Sequence, residues 1–213
     1  MTNLNLKNPA KVEELKRSRS LVIIKPDGVV RHLVGEIVSR FERKGLKIVG
    51  MKMIHATAAQ AQDHYAATEE WYKSNGERTY QGYIDKGQTP PGTPRELAEN
   101  VQRKLVGYLG AGPAVYMVLE GAHVIETVRR MRGATNPQSA DVGTIGFDFT
   151  VDSYELGDAG DWAIRNIIHG SDSPESAARE IPIWFAENEL FEYKTMLEDI
   201  IYSDAWHQEP KAE

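Results

Sequence analysis

Apolar residues recur along this chain in two periods, and the alternation between them outlines a fold. Leu21-Val22-Ile23-Ile24 is a β-rich run that enters Lys25-Pro26-Asp27-Gly28, where proline and glycine end a strand. Val34, Ile37, Val38 and Phe41 then fall at i, i+3, i+4 and i+7, a helical stripe, with Gly45 where a C-cap glycine belongs. Val49, Met51 and Met53 alternate with Gly50 and Lys52 and predict a half-buried strand over about 47–54. Gly110-Ala111-Gly112-Pro113 turns into an apolar strand over 114–119, and Val124, Thr127, Val128 and Met131 make a second helical stripe that stops at Gly133. The run from Thr144 to Thr150 predicts a last strand. Beyond it, Ser173 as N-cap, Pro174 at the first helical position and the stripe Ala177, Ile181, Trp184 and Phe185 predict a helix. The order β-α-β-insertion-β-α-β implies an α+β chain: a ferredoxin-like βαββαβ arrangement whose four-stranded antiparallel sheet is covered by helices on one face.

Segments that break these periods read as additions. Asn8-Pro9 followed by AKVEELKR predicts a short appended helix within residues 1–18. The stretch of about 68–104, with Pro90, Pro91 and Pro94, reads as an insertion with loop and helical parts, and about 151–161 as a second, polar excursion. A single domain is expected over 19–202, with residues 203–213 as a tail, its last seven residues HQEPKAE expected to be disordered.

Composition narrows the function. A chain of 213 residues, 41% hydrophobic, is long enough for one sizeable core. Its net charge of -6 leaves no stretch of Lys and Arg dense enough to coat a nucleic acid, although a small anion in a local basic pocket is compatible with it. Cys is absent, which excludes disulfides, zinc-thiolate sites and thiol nucleophiles. No apolar run has the length of a membrane span and the start lacks a secretory stretch, so a soluble cytoplasmic protein is expected.

The chemistry concentrates in Asn166-Ile167-Ile168-His169-Gly170-Ser171-Asp172-Ser173-Pro174. An imidazole here sits just upstream of a helix start and the amides of Gly170 to Ser173, surroundings that suit an anion. A neutral imidazole is a nucleophile near pH 7 when a partner holds its second nitrogen. Glu180, in the helix that follows, is a candidate for that partner, although by itself it reads first as a surface charge. Ser171 and Asp172 read as turn or cap residues as easily as functional ones.

Taken together, IIKPDGVVRHLVGEIVSRFERKGLKIVGMKM, DHY, VRRMRGATNP, GTI and RNIIHGSDS followed by Glu180 resemble the nucleoside diphosphate kinase family, in order, from about Arg19 to Tyr202. The resemblance implies ping-pong phosphoryl transfer: the γ-phosphate of a nucleoside triphosphate moves to His169 and then to a second nucleoside diphosphate. It implies that Glu180 holds the ring of His169 and that Ser171 supports it. Lys25 and Tyr65 would contact the transferred group, and Lys25 would also reach the sugar hydroxyl. Arg129 and Thr135 would bind the β-phosphate, and Asn166 the ribose. Mg²⁺ would be held through the nucleotide phosphates with no protein metal site, and the chain would form a homo-oligomer, a dimer-based tetramer or hexamer, joined around Thr135-Asn136-Pro137. Of His32, His55, His64, His123 and His207 only His32 has a carboxylate at i+4, Glu36, and no second histidine joins that pair, so zinc is not suggested. GxxxxGK[ST] is absent, and GYLGAGP precedes a strand, so neither a P-loop nor a dinucleotide fingerprint is expected.

Two positions depart from the family pattern. An arginine usually follows GTI, and Gly146 takes its place; one lost cation of a phosphate clamp is worth roughly two to four kcal/mol by analogy with an oxyanion donor. Arg130, Arg165 or an insertion residue is a candidate replacement. The base-stacking phenylalanine of the family aligns with Val101, and its apolar neighbour with Leu105, while Trp71, Tyr72 and Tyr80 could offer an aromatic face. An apolar clamp of this kind would tolerate every base. The alternative to an active kinase is a non-catalytic nucleotide-binding or scaffolding relative, which the loss at Gly146 favours and the retention of a nucleophile with its orienting acid disfavours.

Overall fold

The structure is a computed structural model and describes residues 8–65 and 68–203. The predicted N-terminal helix is α1 (Pro9–Lys16), its first turn capped by the Asn8 side chain, which accepts from the Lys11 amide at 3.0 Å. Then follow β1 (Arg19–Ile24), α2 (Pro26–Val30), α3 (Val34–Arg43), β2 (Lys47–His55) and α4 (Ala58–His64). The expected insertion folds into two long helices, α5 (Glu69–Asp85) and α6 (Pro94–Leu109), before β3 (Pro113–Glu120) and α7 (Val124–Arg132). The chain continues through α8 (Ile145–Phe149), α9 (Tyr154–Gly160), β4 (Ile168–Gly170), α10 (Pro174–Trp184) and α11 (Met196–Ile201). Residues 204–213, which include His207 and the tail expected to be disordered, lie outside the described residues, as do 1–7.

The sheet has the order β2-β3-β1-β4, with each neighbouring pair antiparallel. That is the ferredoxin-like α+β arrangement read from the sequence. The last strand, however, is not the 144–150 run. Thr144 caps a single helical turn there, its side chain accepting from the Phe147 amide, and Ile145 points into the core. Local capping beats the apolar alternation because so short a run makes no ladder of its own. The fourth strand is instead the three residues Ile168, His169 and Gly170, so His169 stands in a strand and not in a loop.

Helices also lie on both faces of the sheet. Val22 and Ile24 point to a core shared with Ile37, Phe41, Val124 and Val128 of α3 and α7. Leu21 and Ile23 point the opposite way, to Ala61, Leu109 and Trp184 of α4, α6 and α10. Helix α6, which begins within the expected insertion and runs beyond it to Leu109, supplies part of that second layer, which the core pattern βαββαβ alone does not encode. The alternation along β4 decides where the chemistry goes. His169 pairs with Ile23 and Ile168 with Ile24, so the imidazole rises on the α4 and α10 face while Ile168 fills the α3 and α7 core. None of the described helices is long and apolar enough to cross a membrane.

Candidate active site

Backbone strain sets the site at the entrance to β4. Ile167, a β-branched residue, has φ +65°, in the left-handed region, and the Ile168 amide donates across it to the Asn166 carbonyl at 2.6 Å. The Ile167 carbonyl turns to accept from the Lys25 amide at 2.7 Å. The strained residue therefore ties the end of β1 to the start of β4 and holds Lys25 beside Asn166. Nothing in the period of the sequence signals a positive φ at an isoleucine.

Around the imidazole, the carboxylate of Glu180 comes from α10 and stands 3.0 Å from His169 Nε2. The Ser171 hydroxyl donates to the same carboxylate oxygen at 2.8 Å and itself accepts from the Leu21 amide at 3.1 Å. Arg179 donates to the other oxygen at 3.2 Å. Glu180 is buried, and three donors satisfy its charge. A carboxylate can only accept, so Nε2 carries the ring proton and Nδ1 keeps its lone pair.

His64 and Tyr65, at the end of α4, close the site. The His64 ring meets His169 edge to face at 4.5 Å and Tyr65 at 4.8 Å. Burial, then the charges of His169 and Arg179, push the His64 pKa well below the ordinary imidazole value. Burial pushes the Tyr65 phenol up, so it stays a proton donor, yet among the described residues its hydroxyl has no hydrogen-bond partner, and neither does His64 Nε2. Buried polar atoms without partners are rare, and here two face one cluster. One ligand atom each of His64, His169 and Glu180 lie within 4.8 Å of one another. Metal binding there would compete with the Glu180 contact to Nε2 and with Trp184, which already donates to His64 Nδ1 at 3.3 Å. The sequence reading passed over His64; its signal was the adjacency to Tyr65 at one helix end.

Lys25 is buried and donates to Asn166 Oδ1 at 2.7 Å, while Asn166 donates on to the Thr135 carbonyl at 3.1 Å. One chain of hydrogen bonds thus joins three predicted residues. Burial pushes Lys25 down to about 8; Asp27 opposes this, and the charge of Arg132 adds to it. The ammonium lies 5.0 Å from the Tyr108 ring, whose hydroxyl donates to Asp27. Val101 and Leu105, half-buried on α6, stand at i-7 and i-3 from Tyr108 and continue its helical stripe outward from Lys25. Tyr72 is engaged between α5 and α6, donating to Gln102 and stacked under Arg95 at 3.8 Å.

Arg129 donates to the Asp172 carbonyl at 2.9 Å. With Arg132, Thr135 and Asp172 it lines a groove of about 970 Å³ that runs between α7 and α10. His169 does not line this groove; the site and the groove meet at the loop carrying Asp172. The two named replacements for the family arginine are engaged elsewhere. Arg130 pairs with Glu126 at 2.9 Å and is 80% exposed, and Arg165 stacks on Trp162 at 4.6 Å.

An imidazole oriented by a buried carboxylate on a ferredoxin-like sheet, with a buried ammonium on the adjoining strand end and a basic groove beyond Asp172, suits a class of protein, an enzyme that transfers phosphoryl groups. The family model for nucleoside diphosphate kinase matches residues 18–84 and 96–190. The nucleoside diphosphate kinase of Pyrobaculum aerophilum is 44% identical over 82% of this chain and 98% of its own length. Nucleoside diphosphate kinase 3 of Danio rerio is 42% identical over 87% of both chains. Among solved structures, the NDP kinase from Pyrobaculum aerophilum superposes with a TM-score of 0.80 at 42% identity, covering 83% of this chain and all of that one. The nucleoside-diphosphate kinase from Borrelia burgdorferi, a transition state mimic with bound vanadate and ADP, gives 0.71 at 36% identity, covering 88% of this chain and 98% of that one. The chain belongs to the nucleoside diphosphate kinase family.

Proposed function

We propose that this protein moves the γ-phosphate of a nucleoside triphosphate to a nucleoside diphosphate through a phosphohistidine at His169. The observation that carries the reading is the hydrogen bond from His169 Nε2 to buried Glu180, which leaves Nδ1 as the nucleophilic atom. The Nδ1 lone pair attacks the γ-phosphorus, the bond to the β-γ bridging oxygen breaks, and its electron pair leaves with the diphosphate. A terminal β-oxygen of the second diphosphate then attacks, the P–N bond breaks, and the pair returns to Nδ1. Glu180 stabilises the positive charge that the ring carries in between, and no proton is consumed.

Lys25 and the partnerless Tyr65 hydroxyl are the donors for the transferred oxygens, and Arg129 and Thr135 for the β-phosphate. Asn166 holds the ribose hydroxyl, and Val101 and Leu105 form the apolar clamp on the base. Mg²⁺, held through the nucleotide phosphates, would supply charge neutralisation. The chain fits such an ion through Asp172, a groove-lining carboxylate that forms no ion pair among the described residues. The reading includes a cytoplasmic location and dimers assembled into a tetramer or hexamer, both supported by the family alone.

Incubation with γ-labelled ATP followed by a chase with GDP tests it. Label is expected on the protein in acid-labile, base-stable form, lost on adding GDP and absent from His169→Ala. Persistence of label in that variant overturns the assignment.

A further inference from the structure

Arg132 stands apart from the other basic residues of α7. Its neighbour Arg130 is solvated and paired with Glu126. Arg132 lies at i+3 from Arg129, on the same helix face, half-buried, and lines the groove that Arg129, Thr135 and Asp172 share. Its one hydrogen bond among the described residues runs from Nε to the carbonyl of Gly133 at 3.3 Å. Among the described residues neither terminal nitrogen has a hydrogen-bond partner and no carboxylate forms an ion pair with it. Lys47, another sheltered cation of the fold, is by contrast paired twice, reaching Glu120 at 2.7 Å and Glu198 at 3.2 Å.

Charge balance sharpens the contrast. Burial pushes Arg132 down, the charge of Arg129 pushes it further, and Asp172 opposes both. The charge of Arg132 in turn adds to the lowering of Lys25. Favourable contact with the negative end of α7 explains a basic last turn, but exposed Arg130 would serve that end without desolvation. Gly146, where the family pattern has its arginine, packs closely on the backbone of this residue: a Cβ there would come 3.0 Å from the Arg132 carbonyl. Arg129 and Arg132 share the groove with Asp172, which forms an ion pair with neither among the described residues, so their guanidinium groups are open to an anion in trans, and a planar fork matches phosphate oxygens.

We propose that Arg132 is a phosphate-binding residue of this site, which grips the terminal phosphate of a bound nucleoside diphosphate together with Arg129 and supplies a cation to the transfer. The inference rests on the phosphotransfer reading above and adds the residue that completes the clamp.

Isothermal titration of the full chain with ADP, AMP and adenosine tests it. Arg132→Met, which keeps the apolar stem, is expected to weaken ADP about ten- to a hundredfold, the loss of one charged hydrogen-bonding group, and to leave adenosine within about twofold. Arg132→Lys should recover part of the loss. A Met variant that melts like the parent and still binds ADP within twofold overturns the proposal. Where the variants fold poorly, the parent protein answers: modification of Arg132 by phenylglyoxal, read by mass spectrometry, should be suppressed by ADP and not by adenosine. Equal modification with and without ADP overturns the proposal. Parent protein that forms no phosphoenzyme defeats the transfer reading itself, whereas normal labelling of both parent and variants with unchanged ADP affinity defeats the role of Arg132 alone.

Discussion

The indole N–H of Trp184 donates to Nδ1 of His64 over 3.3 Å, and this contact fixes His64 as a neutral ring with its proton on Nε2. The ring is buried against His169 and Tyr65. A folded imidazole held well below its ordinary value of 6.5 stays neutral, while the unfolded chain takes up a proton as pH falls through that value. The unfolded state then binds more protons, so stability is fully present above about pH 6.5 and declines below it. His64→Gln should therefore narrow the gap in melting temperature between pH 8 and pH 5, even though it lowers both. An unchanged gap would locate the acid sensitivity elsewhere.

Glu180→Ala removes the acceptor that keeps the proton on His169 Nε2. ADP affinity is expected to stay close to that of the parent, because the carboxylate faces the ring and not the groove. The rate of phosphoenzyme formation is expected to fall on the order of 10²- to 10⁴-fold, the scale on which a wrong imidazole tautomer acts. Rapid-quench labelling alongside ADP titration separates the two quantities, and a matching loss of affinity would contradict an orienting role.

Sequence periodicity made the first three strands and the helices α3, α7 and α10 legible, because each buries a stripe or an alternation long enough to show its period. It failed at the fourth strand. Three residues cannot display an alternation, and the competing run at 144–150 had the apolar pattern but belonged to a capped helical turn. Within the site, the roles of Glu180 and Ser171 came from the resemblance to the family, and the structure sets Glu180 against His169 and Ser171 against Glu180. His64 was missed because its role depends on a contact between α4 and β4, far apart in the chain. Arg132 was missed for a related reason: as one of three arginines in a helix turn it reads like Arg130, and only burial without an acid partner separates the two.

Burial places the Lys25 ammonium near its titration point at about 8, so nucleotide affinity should be pH-dependent. Below that value the side chain is charged and attracts phosphate; above it, binding must first take up a proton. ADP affinity should thus weaken as pH rises from 7 to 9, by at most about tenfold per unit above pH 8, and net proton uptake should accompany binding at pH 9. Titration in buffers of different ionisation heat measures both. Lys25→Met should bind weakly at every pH with the dependence flattened; a parent-like slope in that variant would assign the proton to another group.

Gly146 and Arg132 offer a test of whether one cation replaces another. An arginine at 146 must place its Cβ 3.0 Å from the Arg132 carbonyl, and a backbone atom yields less readily than a side chain, so Gly146→Arg should lower the melting temperature. With Arg132 present, the added guanidinium meets a space already occupied by positive charge, and kcat/KM is expected not to rise. In an Arg132→Met background the same substitution should restore part of the lost kcat/KM, because the new cation then has both room and an anion to bind. The coupling between the two sites, read from the four kcat/KM values of the cycle, should consequently differ from zero. A gain of about tenfold or more for Gly146→Arg in the parent would mean that the clamp lacks a cation which Arg132 does not provide.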